Sequence, residues 1–139
     1  MRIKYLYNEK DLRVTTFTHF IQQNYPTFLT QQDPQLYLIA GGDGAMLHAI
    51  NKTLKNGIPY IGKGMGTLNF LMNEFNDDKK IIDGLINDTI KYDVLNTYGI
   101  NASLNGVEIG EAVNDIVIGE MITDYFKFNI YFNSNNFSI

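Results

Sequence analysis

Residues 2–7 alternate, with Ile3, Tyr5 and Tyr7 apolar on one side, and this period of two predicts a first strand. Between Asp11 and about Asn24 the apolar set Val14, Phe17, Phe20 and Ile21 recurs at helical spacing, with Pro26 closing an amphipathic helix. Residues 36–40 are apolar without a break, bounded by Pro34 and by Gly41-Gly42. That run predicts a strand buried on both faces, central in a parallel sheet. Met46, Leu47, Ile50 and Leu54 then return at helical intervals until Gly57, and residues 58–61 read as another short strand. Strand, helix and strand make a βαβ unit. A further helix is expected around Ile81, Ile82, Leu85 and Ile86, capped by the polar cluster Asn76-Asp77-Asp78.

Beyond Lys91 the pattern changes. Short β-like stretches near 90–98, 100–104, 107–109, 112–118 and 126–132, with the hairpin signal Asn105-Gly106, predict antiparallel additions. Residues 127–132 read as a strand, 133–136 as a turn and 137–139 as a returning strand cut short. The polar zone at 120–124 is the nearest thing to a boundary, which gives an α/β domain over 1–124 and the start of a truncated β-rich second domain over 125–139. An open edge near Phe126, Phe128 and Phe132 predicts self-association, and so a homo-oligomer.

Composition narrows the functional classes. Eleven Lys plus Arg against fifteen Asp plus Glu leave a net charge of -4, so no broad basic field is available for nucleic acid or anionic lipid. The absence of cysteine excludes disulfides, thiolate metal sites and cysteine nucleophiles, and two scattered histidines make no zinc site. No apolar run reaches the length of a signal peptide or a membrane span, so the expectation is a soluble cytoplasmic protein that engages neither membrane nor nucleic acid.

The chemistry concentrates in two glycine-rich stretches. Gly41-Gly42-Asp43-Gly44 lies between the buried strand and a helix start, where α/β proteins bind nucleotides outside the carboxyl ends of strands. Glycines let backbone N–H groups approach phosphates, and the helix N-terminus adds partial positive charge. Asp43 repels phosphate unless a cation intervenes, so its jobs are accepting a proton from a substrate hydroxyl, fixing a ribose, or helping to place a metal. A bland alternative is a turn with Asp43 as a plain helix cap. Neither G-x-G-x-x-G nor a Walker A sequence is present.

The second stretch, residues 62–73 (Gly-Lys-Gly-Met-Gly-Thr-Leu-Asn-Phe-Leu-Met-Asn), follows the next strand directly and lies at the same sheet edge. The two loops predict a cleft in which Phe70 or Leu68 packs on a nucleobase; the alternative tucks Phe70 and Leu71 into the core. His48, one turn beyond the tetrad, reads as a solvated surface residue.

On these residues the chain resembles the N-terminal part of the NAD kinases, which phosphorylate NAD to NADP with ATP or polyphosphate. Gly41-Gly42-Asp43-Gly44 matches that family's first signature, and 62–73 resembles its second, G-x-N-x-G-x-L-G-F-L, with Gly64 in place of Asn and Asn69 in place of Gly. Ala112-Val113-Asn114-Asp115 is similar to the third, Asp115 standing for Glu. The first signature alone also opens diacylglycerol kinase and phosphofructokinase sites; the other two argue against those.

The resemblance implies a three-layer Rossmann-like N-terminal NAD-kinase domain with added antiparallel strands near the C-terminus. It implies Asp43 as the catalytic residue that orients or deprotonates the adenosine ribose 2′-hydroxyl. Gly41, Gly42, Gly44, Gly62, Gly66, Phe70, Asn114 and Asp115 would bind nucleotide, with Mg²⁺ as cofactor, ATP as phosphoryl donor and no protein metal ligand. The family's second domain carries a D-G-x-x-x-x-T-P-T-G-S-T-A-Y segment that this sequence lacks, so the alternative is a catalytically incomplete nucleotide-binding remnant.

Overall fold

The computed structural model describes residues 1–53, 57–117, 129–132 and 135–138. Three strands, β1 (Ile3–Leu6), β2 (Leu36–Gly41) and β3 (Tyr60–Gly64), form a parallel sheet in the order β1-β2-β3. Tyr5 lies opposite Leu38, and Leu38 opposite Ile61. Every residue of β2 is buried, as its unbroken apolar run requires of a central strand with helices on both faces.

Period two divides β2 between two cores. Leu36, Leu38 and Ala40 pack with Ile3 and Tyr5 of β1, with Phe17 and Ile21 of helix α1 (Thr15–Asn24), and with Ile82 and Leu85 of helix α4 (Asp78–Ile86). Tyr37 and Ile39 pack the other way, on Met46 and Ala49 of helix α3 (Asp43–Thr53) and on Met72. The fold is thus α/β with a parallel sheet, consistent with a Rossmann-like domain. Among the described residues no helix is long and apolar enough to cross a membrane.

Local chemistry sets the boundaries. Asp11 accepts the Arg13 N–H and starts a 3-10 turn, Leu12–Val14, that runs into α1. α1 ends at Asn24, as the closure expected at Pro26 requires, and Pro26 then opens a four-residue helix, α2 (Thr27–Thr30), which buries Phe28 and is too short to show a helical period. Asp77 caps α4 by accepting the Lys80 N–H, as the polar cluster before it predicts.

β3 departs from the expectation of residues 58–61. It starts two residues later and runs through Gly62, Lys63 and Gly64, which glycine content had marked as loop. Space is the reason at Gly62, where an added Cβ would collide with the side chains of Met46 and Met72. Lys63 pairs with Asp78 and lies 5.0 Å from the Phe17 ring centre and 5.4 Å from that of Phe75, tying α4 to the sheet.

The later residues form two hairpins. β4 (Ile100–Leu104) pairs antiparallel with β5 (Val107–Ala112), joined by Asn105 and Gly106 at φ of 51° and 80°, the left-handed pair a tight hairpin needs. No strand forms over 90–98 or 113–117. β6 (Asn129–Phe132) pairs with β7 (Asn135–Ser138), so Asn135 and Asn136, expected in the turn, are strand residues. Leu54, the 120–124 boundary, Phe126, Phe128 and residue 139 lie outside the described residues.

Burial pushes the Tyr5 phenol from its ordinary 10.0 up to about 12, against a partly offsetting bond with the Thr18 hydroxyl at 2.9 Å. A folded-state value above the unfolded one means the stabilisation is complete below about pH 10 and is lost as the pH rises toward the folded value. We expect unfolding stability to fall by roughly 1–2 kcal/mol more in wild type than in Tyr5→Phe between about pH 9 and about pH 11.5. Urea midpoints at both pH values measure this. Equal declines would remove Tyr5 as the cause.

Candidate active site

The site is built where β2 ends. Gly41, the last residue of β2, has φ of 145°, and its carbonyl accepts the Met65 N–H at 2.8 Å. The chain turns through Gly42, whose carbonyl accepts the N–H of Ala45 at 2.9 Å, and Asp43 begins α3. Gly42 and Gly44 face open space, with nothing within 4 Å of an added Cβ.

The loop after β3 is folded back onto the strand. Asn73 donates its N–H to the Gly62 carbonyl at 2.7 Å, and Gly64 donates to the Asn73 carbonyl at 2.9 Å. This closure turns two successive main-chain N–H groups toward Asp43. Phe70 donates to Asp43 Oδ1 and Oδ2 at 3.1 and 3.0 Å, and Leu71 to Oδ1 at 2.9 Å. Asp43 is therefore more than a cap of its own helix, because its carboxylate joins the two glycine loops across 27 residues of sequence. Among the described residues Oδ2 accepts only the shared Phe70 bond, so it keeps capacity to accept a further donor.

Phe70 and Leu71 are 85% and 46% exposed, so neither is tucked into the core, and Leu68 is exposed as well. Their faces are open to a flat ligand, while the Phe70 main chain serves Asp43. Gly62 is buried in β3 and Gly66 lies in the loop. Asn114 and Asp115 follow β5, exposed, with the Asn114 amide donating to Asp115 Oδ1 at 2.9 Å. Instead of opening a strand, they sit in irregular backbone.

A cavity of about 770 Å³ opens on the β1 side of the tetrad, between the loop that follows β1 and helix α3. Gly42 and Gly44 line it together with Asn8, Lys10, His48 and Lys52. Its size falls within the range of small-molecule sites. Asn8 shapes the loop: its side chain accepts the Lys10 N–H at 3.0 Å, and its carbonyl accepts the Asp11 N–H at 3.0 Å. Arg13, also in the lining, is held by Asp11, whose carboxyl it keeps below the usual range by direct hydrogen bonding. Lys10 and Lys52 are exposed, and among the described residues neither enters an ion pair. Neither Asn114 nor Asp115 lines this cavity.

Sequence reasoning missed Lys10, Asn8 and Lys52. The usable signal was positional: the loop after β1 leaves the sheet at the same carboxyl edge as the two glycine loops. It also left Asn69 without a role beyond its departure from the motif.

Among the described residues no three His, Asp or Glu side chains converge on a point where a cation could sit. Asp43 alone, with two N–H donors on its carboxylate, does not make a Mg²⁺ cage.

These features define a class: a parallel α/β domain that holds a carboxylate between two glycine-rich loops at the carboxyl edge of its sheet. Comparison with known proteins makes the class specific. The chain is 37% identical over 59 residues to the NAD kinase of Rickettsia typhi, covering 42% of this chain and 23% of that one. It is 33% identical over 84 residues to the NAD kinase of Rickettsia bellii (60% and 32%) and 30% identical over 89 residues to that of Rickettsia canadensis (64% and 34%). Over its matched part the chain is similar to these NAD kinases. It spans about a quarter to a third of the length of these relatives. No family model matches it, and no solved structure does.

Proposed function

We propose that the protein is a phosphotransferase that moves the terminal phosphoryl group of ATP or polyphosphate to the adenosine ribose 2′-hydroxyl of NAD, giving NADP. The observation that carries this reading is the Asp43 carboxylate, fixed by the N–H groups of Phe70 and Leu71 at the edge where the two glycine loops meet. A fixed acceptor is what a hydroxyl nucleophile needs. As the ribose oxygen bonds to the terminal phosphorus, the bond from that phosphorus to the bridging oxygen of the leaving ADP or shortened polyphosphate breaks, and the hydroxyl proton passes to Asp43.

The acceptor nucleotide would lie against Gly41, Gly62 and Gly66, with the exposed Phe70 ring beneath its base. Asn114 and Asp115 are carried into this reading by the family resemblance, as groups that hold the adenosine. The donor's phosphates fit the cavity beside Gly42 and Gly44, where Lys10 and Lys52 and the first turn of α3 bring positive charge into a protein of net charge -4. The described residues offer no protein site for the expected Mg²⁺, so no step here runs through it. The boundary between an α/β domain over 1–124 and a β-rich one from 125, and a homo-oligomeric assembly, remain part of the same proposal.

The test is NADP formation by the purified protein given NAD, Mg²⁺ and either ATP or polyphosphate, read with an NADP-specific coupled reaction. Accumulation of NADP above the no-donor control is the expected result. Its absence with both donors would overturn the reading.

A further inference from the structure

The Asn69 side chain turns back into the 62–73 segment, over the turn between Gly64 and Phe70. Its Nδ2 donates to the Gly66 carbonyl at 2.9 Å, while its Oδ1 is buried with no hydrogen-bond partner among the described residues. An unsatisfied buried acceptor costs about 1–3 kcal/mol, so the amide occupies this place against a penalty. Glycines surround it. A Cβ added at Gly64 would lie 2.8 Å from Asn69 Nδ2 and 2.9 Å from Cγ, and one at Gly66 would lie 3.3 Å from Oδ1.

The backbone of Gly64 is not in the left-handed region, so φ does not demand glycine there. The Asn69 amide demands it. The next two residues are Phe70 and Leu71, whose N–H groups hold Asp43.

We propose that Asn69 is a positioning residue for Asp43, and that positions 64 and 69 form one exchangeable unit: a single amide fills the space over the turn, supplied from either position, while the other must be glycine. Removing the amide loosens the turn and frees the two N–H groups from the carboxylate. Supplying it twice drives the side chains into each other. The inference deepens the reading of Asp43 as the reacting carboxylate, and its test does not depend on turnover.

The test compares wild type with Asn69→Gly, Gly64→Asn and the double exchange Gly64→Asn/Asn69→Gly. Amide hydrogen exchange at Phe70 and Leu71 and the carboxyl ¹³C signal of Asp43 at fixed pH are followed by NMR. Each single change should speed exchange at the two amides about tenfold or more and shift the Asp43 signal, and the double exchange should restore both, a coupling that additive sites cannot show. Exchange at Leu38 and Ile39 in the sheet should stay unchanged as the control for folding. Should Gly64→Asn fail to fold, Asn69→Ala carries the same expectation, because it removes the amide and adds nothing at 64.

Unchanged protection in Asn69→Gly or Asn69→Ala, an unmoved Asp43 signal, or a double exchange no better than the sum of the singles would each overturn the proposal. Intact coupling in a protein that forms no NADP would sink only the functional reading. NADP formation without coupling would sink only this one.

Discussion

Asp43→Asn is expected to lower NADP formation by about 10²- to 10⁴-fold while leaving the sheet and both cores folded. The substitution removes the carboxylate that, among the described residues, joins the two glycine loops, and replaces a group able to accept a proton by an amide that cannot take one from a hydroxyl. Its effect on stability should be small by comparison. The Asn carbonyl oxygen can still accept the Leu71 N–H, and the residue lies at the surface edge, away from the buried set around Leu38 and Ile39. Turnover of NAD at saturating donor, with urea midpoints measured alongside, separates the two effects. Turnover unchanged in Asp43→Asn would take Asp43 out of the chemistry.

The largest expected effect on stability falls two residues earlier. At φ of 145° the Gly41 backbone is in a region that side chains rarely adopt, and an added Cβ would lie 2.7 Å from the Ala45 Cβ in the first turn of α3. Backbone strain and overpacking therefore act together, and Gly41→Ala should lose roughly 2–5 kcal/mol. The Gly41 carbonyl also accepts the Met65 N–H, so a shift there is felt in the second loop. Gly42→Ala is the matched control. Its backbone is not left-handed and nothing lies within 4 Å of the new methyl, so a loss within about 1 kcal/mol is expected. Equal losses in the two variants would mean that the geometry at Gly41 is not the cause.

How much of this was readable in the chain depends on the physics of each element. The buried run at 36–40 announced the central strand because a strand covered on both faces has no polar side to show. Val14, Phe17 and Ile21 announced α1, and Asp77 announced the start of α4, since both signals are local. The extent of β3 was not legible. Gly62 and Gly64 look like loop residues by composition, and their reasons, the Met46 and Met72 side chains at one and Asn69 at the other, are tertiary.

The site divides in the same way. Asp43 and both glycine loops stood out by pattern. That the carboxylate is held by the Phe70 and Leu71 main chain did not, because N–H groups leave no mark on residue type. Lys10 and Lys52 escaped because no motif surrounds them; only the packing of the loop after β1 against α3 brings them to one cavity.

Holding Asp43 by main-chain donors has a consequence for how this site can drift in sequence. Every residue except proline supplies the same N–H, so positions 70 and 71 are free to change their side chains without disturbing the carboxylate. Both side chains are open to solvent, at 85% and 46%. The exposed surface at positions 70 and 71 and the support of the Asp43 carboxylate are thus written at the same two positions in separate alphabets, and the first can be retuned without altering what Asp43 rests on.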